Sequence, residues 1–145
     1  MYGITTYGFN KVTVTLQHSL VGQKVISGEG IGSISVAYQD NNTESDIGAD
    51  GNVMVSEVLS HRGTISLELQ QTSSANKWLY NLANVLDNSD PNQFLGISVR
   101  ITEKFDNGLT TTAARASIQK RPDRKDEQNG GRVTWVLFSP DIETA

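Results

Sequence analysis

The chain has 145 residues, 12 of them basic and 16 acidic, giving a formal net charge of −4; 37% of its residues are hydrophobic and 19% charged. That length can bury a core without covalent staples, and the lack of cysteine excludes disulfides, a thiolate nucleophile and a cysteine zinc site. The acidic balance speaks against free nucleic-acid binding, which normally needs a basic face, and no apolar run approaches the roughly 18 residues that cross a bilayer.

The start, Met1-Tyr2-Gly3-Ile4-Thr5-Thr6, has neither the basic nor the apolar region of a signal peptide, so one unprocessed domain over residues 1–145, made in a cytoplasm, is expected. From Lys11 to Gln17 the residues alternate, with Val12, Val14 and Leu16 on one face, which predicts a strand wetted on one side. Gly28-Glu29-Gly30-Ile31-Gly32 resembles a phosphate loop only in its glycines. It lacks GK[ST] and leads into a strand over 31–38, whereas phosphate loops open a helix, so a flexible start to that strand, or a bulge, is the reading. Asp40 to Gly51 reads as a polar, acidic loop longer than a usual hairpin connection.

Within that loop, Asp46 to Asn52 is rich in oxygen donors. It lacks the ligand order of an EF-hand and the bidentate glutamate at its end, so turn glycines in a polar loop explain it. A strand is predicted over 53–59, then a turn at Ser60-His61-Arg62-Gly63 and a strand over 64–70. Trp78, Leu79, Leu82, Val85 and Leu86 fall at helical spacing, so one helix is predicted at about 74–87, packed through Trp78, Leu79, Leu82 and Leu86. Ser73 or Ser74 caps its start, and Asp87-Asn88-Ser89-Asp90-Pro91 stops it. Strands follow at 95–102, 109–118 and 131–138, with a tight turn at Asp106-Asn107-Gly108 and a charged loop at 121–131. The expected fold is therefore mainly β: an antiparallel sandwich or barrel of about seven strands with one flanking helix.

Nothing along the chain assembles a nucleophile, a base and an orienting partner. His18 and His61, the two histidines, are far apart, and no G-x-S-x-G elbow occurs. No catalytic, cofactor-binding or metal-binding residue is assigned, and no enzymatic activity is expected. Charge is distributed more tellingly. Glu29, Asp40, Glu44, Asp46 and Asp50 follow one another without a basic residue, while eight of the twelve basic residues lie between Arg100 and Arg132. Opposite patches on one subunit suit a head-to-tail contact between copies, which generates rings or filaments. A scattered surface charge with no partner is the competing reading.

Three stretches carry a family likeness: Ser45-Asp46-Ile47-Gly48-Ala49-Asp50-Gly51-Asn52-Val53-Met54-Val55-Ser56, Gly63 to Ser73 with its "GTI…QTS" pattern, and Asn76-Lys77-Trp78-Leu79. Together they resemble the tail tube proteins of contractile-tailed bacteriophages, in the middle of the chain more than at its ends. The resemblance implies a β-barrel or sandwich with one helix, hexameric rings, and stacked rings that conduct DNA inside a contractile sheath. It implies partners in further copies, the sheath protein and other tail proteins. It places the chain in the virion tail, assembled in the host cytoplasm, with no membrane and no cofactor. Inner strands of adjacent subunits would join into one lumen barrel, for which small polar faces such as Thr13, Thr15 and Gln17 are suited, and DNA would pass without specific binding.

On this reading the acidic residues Asp40, Glu44, Asp46 and Asp50 meet Lys120, Arg121, Arg124, Lys125 and Arg132 of a neighbouring copy. A ring protein of a related injection machine, a type VI secretion or tailocin tube, is the alternative. A carbohydrate-binding β-sandwich is a further one, but Trp78 and Trp135 both sit in apolar patterns that read as core, not as an exposed sugar platform. A small enzyme on a β-barrel is the remaining one.

Overall fold

The computed structural model describes Gly8 and residues 11–27, 31–93 and 95–145. In chain order the elements are β1 (Val12–His18), β2 (Gly22–Ser27), β3 (Ile31–Tyr38), β4 (Thr43–Ile47), β5 (Val53–Glu57), β6 (Gly63–Gln70), α1 (Ser74–Asp87), β7 (Ile97–Glu103), β8 (Thr110–Lys120), β9 (Arg132–Ser139) and β10 (Asp141–Thr144). The main sheet runs β2-β1-β7-β8-β9-β6-β3, with β10 paired to β8, and every strand pairing in it is antiparallel. Strands β4 and β5 form a separate two-stranded ribbon.

The long strand β8 turns this one ladder into two layers. Its first half pairs with β7 and its second half with β9, and the register slips opposite Ile97/Val99 and again at Ile118/Lys120. Between the inward-facing Ala113 and Ala116 the exposed Arg115 takes a left-handed backbone, φ 52°. A bulge of this kind bends a strand sharply, so the inner faces of both halves close on one core. Val14 and Leu16 of β1, Leu67 and Leu69 of β6, Ile97 and Val99 of β7, and Trp135 and Leu137 of β9 meet there. These are the residues of the period-two pattern, which is why alternation located the strands.

Helix α1 packs on the same core. Ser73 accepts from the Ala75 backbone N–H at 3.2 Å, and the Asn88 N–H returns to the Val85 and Leu86 carbonyls. Leu79, Leu82 and Leu86 are buried, while Trp78 is half-buried at the core margin. Asn76 does what the helical wheel did not announce. Its side-chain oxygen accepts from Trp135 Nε1 at 2.9 Å and its amide donates to the Gln71 carbonyl at 3.2 Å. The Trp135 ring also meets Tyr80 edge-on, with centroids 4.8 Å apart.

Three strands lie outside the expected seven. β2 buries only Ile26, β10 only Ile142, and β4 nothing, so no alternation marks them. The last is a correction: residues 40–51 are not a loop throughout, because Thr43–Ile47 pairs with Val53–Glu57. Residues 121–131 contain neither strand nor helix. Of the glycine-rich stretch before β3, residues 28–30 lie outside the described part. Gly32 sits at a register break, where a Cβ would run into the Arg132 guanidinium, so β3 begins with a bulge.

Replacing Asn76 by Ala strips the buried Trp135 N–H of its partner. A loss of about 1–3 kcal/mol is expected, measured by urea unfolding followed by circular dichroism, whereas Asn81→Ala on the exposed face of α1 should cost well under that.

Candidate assembly surface

The β4–β5 ribbon stands off the body: every residue of both strands is exposed. Its register sorts two faces. Ile47 opposes Val53 and Ser45 opposes Val55, while Asp46 opposes Met54 and Glu44 opposes Ser56. One face is thus apolar around Ile47, Val53 and Val55, and the other acidic around Glu44 and Asp46. Ile47 is 68% exposed and Val55 63%. Two-stranded ribbons are marginal in water on their own, and clustered exposed apolar side chains mark interaction surfaces.

The tip is built by a tight turn. Gly48 N–H donates to the Asn52 carbonyl at 2.8 Å, and Gly51 supplies the left-handed residue at φ 88°. Asp50 accepts from the Asn52 backbone N–H and side-chain amide at 3.2 and 2.8 Å. Its oxygens therefore shape the turn, and among the described residues no group of three or more side chains is placed to hold a metal ion.

At the root, Asp40 accepts from Ser60 Oγ at 2.6 Å and from Arg62 Nε and Nη2 at 2.7 and 3.2 Å. This clamp ties the two stems together, assisted by Val58 N–H donating to the Asn42 carbonyl. The Arg62 and Ser60 hydrogen bonds hold the Asp40 carboxyl below the usual carboxylate range, and the same contact pushes the Arg62 guanidinium up. The adjoining C-terminal strand braces the root: Ile142 N–H donates to the His61 carbonyl, His61 lies 3.8 Å from Asp141, and Tyr38 shares a hydrogen bond with Thr144. Between them lies a cleft of about 650 Å³. The other histidine, His18, is buried and accepts from the Leu20 backbone N–H.

The basic candidates lie elsewhere, on and beyond the end of β8, and each already has a carboxylate. Lys120 lies 3.8 Å from Asp123, Arg124 3.7 Å from Asp126, Lys125 2.7 Å from Glu127 and Arg132 3.2 Å from Glu68, while Arg121 pairs with Asp87. Asp126 further accepts from Gln71 at 2.6 Å, which pins the 121–131 segment to the end of β6. Lys120, Arg121, Pro122, Arg132 and Val136 line a cleft of about 280 Å³. On the ribbon, by contrast, Glu44 and Asp46 make no ion pair among the described residues. The structure thus separates the predicted acidic set, with Asp40 a structural clamp and Glu44, Asp46 and Asp50 on the ribbon. Sequence reasoning missed the apolar face, since Ile47 joins Val53 and Val55 only through a pairing that the acidic Thr43–Ile47 segment does not advertise.

Because its folded pKa is depressed, the Asp40 clamp contributes above the unfolded carboxylate pKa of about 4 and is lost as pH falls through the lower folded value. Amide protection of residues 41–59, relative to the intrinsic exchange rate at each pH, should fall selectively in acid below that range. In Asp40→Asn the same amides should exchange faster already at neutral pH.

No curated protein matches the chain in sequence. Among solved structures, cryo-EM assemblies of injection machines contain similar chains. One is the six-fold symmetrised baseplate of the anti-feeding prophage, with TM-score 0.65, 13% identity, and 100% of this chain and 97% of that chain covered. Another is the sheath-tube complex of the PVC extracellular contractile injection system in its extended state, with TM-score 0.61, 14% identity and coverage of 97% and 91%. The tube-terminating cap of the anti-feeding prophage gives TM-score 0.64, 13% identity and coverage of 100% and 94%. At such identities the likeness is one of fold. A family model settles the rest: that of the bacteriophage PhiTE tail tube protein matches residues 4–145. The chain belongs to that family, and it is a structural subunit of a tail tube.

Proposed function

We propose that the subunit acts without catalysis, closing with five further copies into a ring whose stacks form a conduit for DNA inside a contractile sheath, and that the β4–β5 ribbon is the arm by which one copy grips another. The observation that carries this reading is the ribbon itself: an ordered element with an unburied apolar face and four carboxylates, Glu44, Asp46, Asp50 and Glu57, without one cation. The six-fold symmetry of the similar baseplate assembly supports the ring number. The two outer strands of the main sheet, β2 and β3, each have one flank unpaired among the described strands, and ring closure is one way to protect such edges. Tail sheath and other tail proteins are the remaining partners, and assembly takes place in the host cytoplasm.

The receiving surface is the cleft of Lys120, Arg121 and Arg132 on the next copy. Its cations keep their own carboxylates, so the charge contrast orients the arm while Ile47, Val53 and Val55 supply affinity. Exposed ion pairs contribute only about 0.2–1 kcal/mol each. Arg124 and Lys125 lie further along the same segment and extend the basic rim.

Two variants test the arm. Asp46→Lys with Asp50→Lys should slow assembly most at low salt, followed by light scattering and negative-stain microscopy; unchanged assembly at low salt would refute the electrostatic contact. Val53→Ser with Val55→Ser should leave a folded subunit, judged by its thermal melt, that no longer forms tubes. A tube that carries protein in place of DNA is the second reading, favoured by the similar chains in an injection system.

A further inference from the structure

The two outward sheet faces differ. That of β3, β6 and β9 carries Ser33, Ser35, Thr64, Ser66 and Thr134 in register, its two charges, Glu68 and Arg132, pair with each other, and the 121–131 segment is tied to its end through Gln71. That of β1, β7 and the first half of β8 is likewise mostly hydroxyl and amide, but its cations have no partner on it among the described residues. In register it carries Thr13, Thr15, Gln17, Ser98, Thr102 and Thr112. A smooth, wetted wall of this kind is what a channel lining requires.

Two cations interrupt it. Arg100 lies at the centre, between Thr15 on β1 and Thr112 on β8. Arg115 occupies the bulge beside Ser98, and both are exposed. Of the six arginines, Arg62, Arg121, Arg124 and Arg132 each hold a carboxylate in their own chain. Arg100 and Arg115 hold none among the described residues. The nearest acidic residue in Arg100's own row is Glu143, two strands away on β10 and unpaired with it; Asp141 on the same strand faces His61. A left-handed backbone at a non-glycine residue is strained, and at Arg115 it presents a guanidinium that meets no acid of its own subunit among the described residues.

We propose that this threonine-rich face lines the tube channel and that Arg100 and Arg115 form, in every ring, a belt of guanidinium groups that touches the phosphodiester backbone of nucleic acid passing through. The proposal rests on the tube reading above. Guanidinium donates in a fork that fits phosphate oxygens, and such contacts carry no sequence preference. Set among hydroxyls and amides, with Glu143 and Asp141 at the β10 margin and the acidic arm elsewhere, the belt acts as a friction element: weak, repeated at each ring, and screened by salt.

The test uses assembled tubes of the natural chain and of Arg100→Gln combined with Arg115→Asn, asparagine being tolerant of the left-handed backbone. Tubes are incubated with a fluorescein-labelled DNA duplex, sedimented, and treated with nuclease so that only enclosed DNA is counted. Natural tubes should retain protected duplex at low salt, and the variant roughly ten-fold less, with a salt slope shallower by about 0.9 for each phosphate that is no longer neutralised. Equal retention by tubes of both chains, or no protected duplex in natural tubes, overturns the belt alone. Preferential retention of a labelled polyglutamate peptide over DNA also overturns it, in favour of protein cargo. Failure of the natural chain to form tubes under any condition overturns the belt and the tube reading together.

Discussion

Because β8 pairs with β7 along its first half and with β9 along its second, one antiparallel ladder turns a corner and closes on itself. Everything else is placed by that turn. It brings the apolar faces of β1 and β7 over those of β6 and β9, creating a core that neither half could form. It leaves a gap at the margin that α1 fills, with Trp135 reaching from β9 to Asn76 across the seam. The bond matters more than its small net strength, since an indole N–H sealed in that core without a partner carries the full desolvation cost. Past the second slip, at Ile118/Lys120, β8 ends with Lys120 opposite Val136 of β9, and the chain passes into the charged 121–131 segment.

The ribbon follows the opposite logic. Its strands bury nothing in their own chain, so ladder hydrogen bonds, the tip turn and the Asp40 clamp are all that order it. The clamp is exposed and screened by water, so it fixes where the ribbon emerges more than it stabilises the fold. The arm therefore carries four carboxylates beside an unburied apolar cluster.

Alternation and helical spacing made the core legible. β1, β6, β7 and β9 each bury alternate residues, and the helix limits were written in Ser73 and the Asp87 to Pro91 stop. What sequence did not disclose had no burial to record. β2 and β10 each bury one side chain, and β4 buries none, so pairing alone defines them. Asp40 looked like part of an acidic patch because its partner Arg62 lies beyond the whole arm in sequence. The charge contrast itself was visible, but the local ion pairs that temper the basic side were not, because Asp123, Asp126 and Glu127 had to be placed in space to be matched with their cations.

In the proposed assembly, that tempering keeps a single contact weak. Residues 120–132 hold five cations and three carboxylates, so the proposed receiving surface is only mildly positive and mostly self-paired. A strongly positive cleft would capture a carboxylate-bearing arm from any encounter, in any register, and would bind nucleic acid on the outside of the subunit. With weak charge contrast, a single arm in a single cleft is a poor bond. Affinity then arises only when several copies engage together, because each added contact in a closing ring is made at the effective concentration of a tethered partner. Under the proposed assembly, the modest electrostatics of the basic segment and the small apolar face of the arm are the same device: each is too weak to act alone, and a ring makes them act in number.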